Sequence, residues 1–275
     1  METGLKSVIA PNFTYKTRSR ILKAISLLLL CVPLAPITLW ADQLDLDSEL
    51  EQLKVELQSD KFRVLEPLFE KLRWTGRNNK EIYATIRAKF EVYQHEESID
   101  LAVLSLKGLA YSGNKRYVTF YEDLIENSLD EQIRSSAEQA LANLDVHHRW
   151  NKSISKRNIE ANKGYLTQTR VLNMLRSRDP ILALQGAKLA AGAYRSDKNI
   201  TDLAAKLLHR SYNIYDDQER INDFEELKSW YCIILESSQR DIYLPLLREV
   251  KESAVYAKVR KRAKRAIKHI EKQTN

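Results

Sequence analysis

The chain has 275 residues, 29% charged and 44% hydrophobic, with only 7 Gly and 6 Pro. Few turn formers and no Val/Ile/Thr alternation exclude a sheet-rich domain, and the composition is that of an ordinary globular helical protein. Lys and Arg outnumber Asp and Glu by 44 to 37. The first 41 residues hold five of those bases (Lys6, Lys16, Arg18, Arg20, Lys23) and one acid (Glu2). Without them 39 bases face 36 acids, which weakens any argument for nucleic acid.

Residues 1–41 read as a signal peptide or membrane anchor. A basic stretch is followed by Ala24–Ala41, which carries no charge, and then by the acidic Asp42. That order predicts export with cleavage after Ala41. The alternative is an uncleaved anchor over 24–41, interrupted by Pro33 and Pro36. Either way the positive flank stays inside and the remainder lies outside the cytoplasm. Leu28-Leu29-Leu30-Cys31 approximates a lipoprotein box, but Leu30 is too large for the small residue expected there.

Residues 42–61 alternate acids with Leu46, Leu50, Leu53 and Leu57 at helical spacing, which predicts an acidic amphipathic cap helix. Residues 62–144 continue with helices over Phe62–Trp74, Asn79–Tyr93 and Ser98–Tyr111. Two more helices follow, Lys115–Asn127 and Asp130–Leu144. Residues 145–163, DVHHRWNKSISKRNIEANK, are polar and basic without apolar periodicity, and predict a loop. Residues 164–275 resume with helices over Tyr165–Arg176, Asp179–Tyr194, Ile200–Tyr212 and Glu219–Ser237. Asp179-Pro180 has the residue order of an N-cap followed by N1.

The strongest signal is a repeat. Leu109–Leu144 returns without a gap as Leu235–Ile270, every residue moved by 126 positions. Tyr117, Phe120 and Leu124 become Tyr243, Leu246 and Val250, while Ile133, Ala137, Ala140, Leu141 and Leu144 become Val259, Ala263, Ala266, Ile267 and Ile270. The second set lies on one face of a helix. The corner Tyr111–Tyr117 is echoed by Tyr194–Ile200 and, more faintly, by Trp74–Asn79.

Ile133-Arg134-x-x-Ala137-x-x-Ala140-Leu141 and Val259-Arg260-x-x-Ala263-x-x-Ala266-Ile267 resemble the second helix of a HEAT repeat. The resemblance implies an all-α fold, a right-handed α-solenoid of about five HEAT-like helix pairs, with the small Ala positions at close helix contacts and the Arg facing the inter-repeat surface. Departures exist. The usual Asp just before the Val-Arg pair is displaced to Asp130 in one copy and is Tyr256 in the other, and Ala183 stands where a third copy would carry Arg.

No residue pattern points to catalysis, a cofactor or a metal. His147 and His148 are adjacent and on a helix would point about 100° apart; they read as part of the solvated loop. Glu96-Glu97, Asp216-Asp217 and Glu225-Glu226 are sequence neighbours, not opposed carboxylates. Cys232 sits among apolar residues and reads as packing, and Gly186 and Gly192 as close contacts in an Ala-rich helix. What remains is the basic end. Lys258, Arg260, Lys261, Arg262, Lys264, Arg265 and Lys268 form a candidate site for another protein, with an anionic membrane surface as the other option. The expected function is an exported, non-enzymatic interaction scaffold. The alternative is a HEAT-like enzyme, resembling DNA glycosylases or bilin lyases, should the leader be misread and the chain be cytoplasmic.

Overall fold

In the computed structural model, residues 51–76, 79–95, 98–156 and 166–274 are described. The leader and the first part of the acidic cap therefore lie outside the described residues. What is described is all-helical, with no strand among these residues. After a helical turn at residues 51–56 come α1 (Phe62–Arg73), α2 (Lys80–Tyr93), α3 (Ile99–Ala110), α4 (Val118–Asn127) and α5 (Glu131–Ile154). The second half has α6 (Leu166–Leu175), α7 (Pro180–Ala193), α8 (Lys198–Ser211), α9 (Ile221–Ser238), α10 (Leu244–Ser253) and α11 (Ala257–Thr274).

Helix starts follow the cap chemistry of the sequence. The carboxylates of Asp130, Asp179 and Asp197 and the amide of Asn79 each accept one or two backbone N–H groups of the first turn they precede. These bonds satisfy donors that the helix itself leaves orphaned. The N-terminal turn is pinned in a different way, by Asp60, which accepts from Lys89 Nζ at 2.6 Å and from the Tyr93 hydroxyl at 2.5 Å.

The shift of 126 positions reappears in three dimensions. Single 3-10 turns at Lys115–Tyr117 and Asp241–Tyr243 precede α4 and α10, and α5 and α11 begin at Glu131 and Ala257. Within each unit the long helix packs on both of its predecessors, α5 on α3 and α4, α11 on α9 and α10. Tyr117, Leu124, Ile133, Ala137, Ala140 and Leu144 are buried, and so are Tyr243, Val250, Val259, Ala263, Ala266 and Ile270. Leu141 is half-buried against one core, and Ile267 is buried in the other.

The paired arginines have matching roles. Arg134 Nη1 donates to the carbonyl of Ser128 at 3.1 Å. Arg260 Nη1 donates to the carbonyls of Ala254 and Val255 at 2.5 and 3.1 Å. Each guanidinium thus ties its helix back to the turn before it, where orphaned carbonyls need donors.

The first core joins α1 to α5 through Leu65, Phe69, Ile86, Phe90, Leu106 and Tyr121. The second joins α6 to α11 through Leu175, Ala187, Leu208, Cys232, Leu247 and Ile270. A smaller cluster of Trp150, Ile154, Met174 and Leu182, flanked by Trp74 and Val146, spans the seam between them.

That seam corrects the loop expected over 145–163. Residues 145–154 continue α5 as helix, and only 157–163 of the expected loop lie outside the described residues. Val146, His147, Trp150, Asn151 and Ile154 fall on one helical face that packs inward; all but the half-buried Val146 are buried. The reason is hydrogen bonding. Asn151 Nδ2 donates to the carbonyls of Tyr111 and Ser112, both at 2.9 Å, and so caps the end of α3. His148 Nδ1 lies 3.0 Å from the Gly113 carbonyl oxygen.

The glycine readings divide. A Cβ on Gly186 would stand 2.6 Å from Met174 Cβ, so α7 and α6 approach through that gap. Nothing lies within 4 Å of a Cβ built on Gly192, which therefore serves no close contact.

Candidate functional site

The basic residues of α11 separate into two groups. Lys258 pairs with Glu226, and Arg262 with Glu236 on α9. Together with Arg260 on its carbonyls, these three fasten the helix to its neighbours. Glu226 is held below the usual carboxylate range, first by Lys258 and then by the Trp230 indole N–H. Lys261, Lys264, Arg265 and Lys268 are exposed and have no ion-pair partner among the described residues. Their spacing, i, i+3, i+4 and i+7, places them along one stripe of the helix. The structure therefore keeps four of the seven expected residues as an accessible set.

A second concentration of chemistry, unseen in the sequence, lies at the seam. The guanidinium of Arg73 is 4.5 Å from the ring centre of Trp74 and 5.4 Å from those of Tyr111 and Trp150. Trp74 stacks on Trp150 at 5.3 Å, and His147 meets Tyr111 and Trp150 edge-on at 4.9 and 5.2 Å. Glu70 completes the group, accepting from the Tyr111 hydroxyl at 2.7 Å and lying 3.5 Å from Arg73 Nη1. Cation–aromatic contacts of this kind strengthen where water is excluded. The arrangement explains the aromatic residues at the ends of α1 and α3: Trp74 and Tyr111, with Trp150 of α5, hold the three helices together. Trp74 and Trp150 belonged to no shared spacing, so their stacking was not legible.

His147 is not solvated as expected; it is 4% exposed. Burial, and after it the charge of Arg73, push its pKa down to about 4, with Glu70 opposing. The unfolded chain, with histidine near 6.5, binds the proton more readily than the folded one. This part of the stability is complete above pH 6.5 and is lost as pH falls toward 4. Between pH 7 and 4.5 the loss from this one group should be roughly 2–3 kcal/mol. Urea midpoints at both pH values should fall further for wild type than for His147→Gln. Parallel falls would mean that the folded protein accepts the proton as easily as the unfolded chain.

Two clefts border the seam. One, of about 570 Å³, is lined by Glu70, Trp74, Val171, Met174, Leu189 and Tyr194 among others. The other, of about 480 Å³, is lined by Arg149, Trp150, Lys156, Arg176 and Arg178, with Asp179 at its edge. Among the described residues no group of three or more His, Cys, Asp or Glu side chains is placed to hold a metal, and no helix is long and apolar enough to cross a membrane. Cys232 is fully buried, and burial pushes its thiol up to about 12, as a packing residue requires. No family model, curated protein or solved structure matches this chain.

Proposed function

We propose that this chain is an exported, non-enzymatic interaction scaffold, its helices stacked as a right-handed HEAT-like α-solenoid. The stripe Lys261, Lys264, Arg265 and Lys268 receives an acidic protein surface. The stripe itself carries the reading: four cations on one exposed helical face, beside three others already engaged within the fold. Repeat folds consume their apolar faces in stacking and leave end helices and outer surfaces for recognition. The unit-for-unit match of helix starts supports the repeat reading. The match between Arg134 and Arg260 supports it independently. Exposed cations are screened within about 8 Å at physiological salt, so the stripe steers and orients its partner.

Export is the part most cheaply tested. The charge pattern of residues 1–41 predicts that native protein, recovered outside the cytoplasm, has an intact mass beginning at Asp42. Recovery of protein that retains Met1 from the soluble cytoplasm would remove export and favour an enzymatic reading.

A further inference from the structure

We infer that the cleft between the end of α5 and the α6–α7 corner binds a compact, multiply charged phosphate compound, such as a pyrophosphate or a phosphate ester. The site is separate from the α11 stripe and does not rest on the scaffold reading.

The argument starts from charge. Arg149 comes from the penultimate turn of α5, Lys156 from just beyond its end and Arg178 from the link into α7; Arg176, one residue past α6, also lines the cleft and has an interaction of its own. Among the described residues that line the cleft there is one carboxylate, Asp179. That carboxylate is already occupied: it accepts from Trp150 Nε1 at 3.0 Å, from the Ile181 backbone N–H at 3.0 Å and from Arg220 at 3.3 Å. Although partial burial opposes ionisation, these bonds hold Asp179 below the usual carboxylate range. It therefore stays charged and turned toward its own helix cap. Arg149, Lys156 and Arg178 have no ion pair among the described residues. Like charges gathered in this way repel, and an anion placed among them removes the repulsion.

The shape and donor types narrow the ligand. About 480 Å³ falls within the range of small-molecule sites. A cleft of that size holds a compact anion and not a polymer. Guanidinium groups present paired N–H donors that match phosphate oxygens. Ser153 and Ser177 add hydroxyl groups to the lining. The wall is rigid. Asn173 Nδ2 bonds the carbonyls of Ile154 and Lys156 at 3.1 and 2.6 Å, joining α6 to the end of α5. Trp150, fixed to Asp179 and stacked on Trp74, forms the apolar side.

Trp150 also supplies a readout. Titration of full-length protein with inorganic pyrophosphate should change tryptophan fluorescence in a saturable way, with Kd of about 0.1 mM or tighter at moderate salt. Calorimetry should give the same constant. Arg149→Gln/Arg178→Gln should weaken binding at least about tenfold, and Lys156→Gln in the same direction, with helicity by circular dichroism unchanged. Replacing Lys261, Lys264, Arg265 and Lys268 by Gln should leave pyrophosphate binding intact. No saturable binding would overturn the inference. So would an equal response to sodium chloride at matched ionic strength, undiminished binding in both cleft variants, or loss only in the α11 variant.

Discussion

Lys228→Ala is expected to destabilise the protein by about 3 kcal/mol or more, among the largest costs of any single truncation. Lys228 lies in the middle of α9 and is 2% exposed. Its ammonium pairs with Asp216 at 2.5 Å, donates to the Ile214 carbonyl at 2.8 Å and lies 4.8 Å from the Tyr256 ring centre. Tyr256 closes the circuit, its hydroxyl donating to Asp216 at 3.0 Å and accepting from the Asp216 backbone N–H at 3.0 Å. Removing the lysine leaves the Asp216 carboxylate, 14% exposed, without its counter-charge. The connection between α8 and α9 would then lose its anchor to both α9 and the start of α11. A Lys228→Met/Asp216→Asn double variant should recover much of the loss, because both charges leave together. Urea unfolding with an unchanged slope measures both. A loss below about 1 kcal/mol for Lys228→Ala would mean the pair behaves as an exposed one.

Gly113→Ala should cost about 3 kcal/mol, combining left-handed backbone strain with overpacking. Gly113 has φ +59, and a Cβ there would stand 2.4 Å from the His148 backbone nitrogen. Backbone cannot swing aside as a side chain can. The equivalent position in the second unit is Gln239, at φ 56, the one non-glycine residue with positive φ among those described. Gln239 already carries a Cβ in that left-handed conformation, so Gln239→Gly should change stability by no more than about 1 kcal/mol in either direction. Thermal melts of the two variants side by side would show whether the corners differ as described.

Helices were legible wherever burial is apolar. Phe62–Trp74, Asn79–Tyr93 and Asp179–Tyr194 were readable to within a residue or two, because Leu, Phe, Ile and Ala recur on one face and, in the last two, Asn or Asp marks the start. The end of α5 was not, because its inward face includes His147, Trp150 and Asn151, residues that hydrophobic periodicity counts as polar or irregular. Asn151 bonds backbone carbonyls some 40 positions away, those of Tyr111 and Ser112, and Trp150 bonds the Asp179 carboxylate of another helix start. Asp216 illustrates the same limit: in the sequence it is one of two neighbouring carboxylates, and only the fold brings Lys228 and Tyr256 to it. The basic final helix was visible as composition. That Lys258, Arg260 and Arg262 are spent within the fold was not. Nor was the seam cleft, since its cations come from α5 and from three separate points beyond helix ends and share no spacing.

The scaffold reading meets its most direct test in one comparison. Protein purified natively at low salt should bring a stoichiometric acidic partner, and raising salt should release it as the charges are screened. Under the same conditions a variant with Lys261, Lys264, Arg265 and Lys268 changed to Gln should keep its helicity and melting temperature and recover no partner. A variant that retains the partner at wild-type stoichiometry, or a wild-type complex indifferent to salt, would contradict the account.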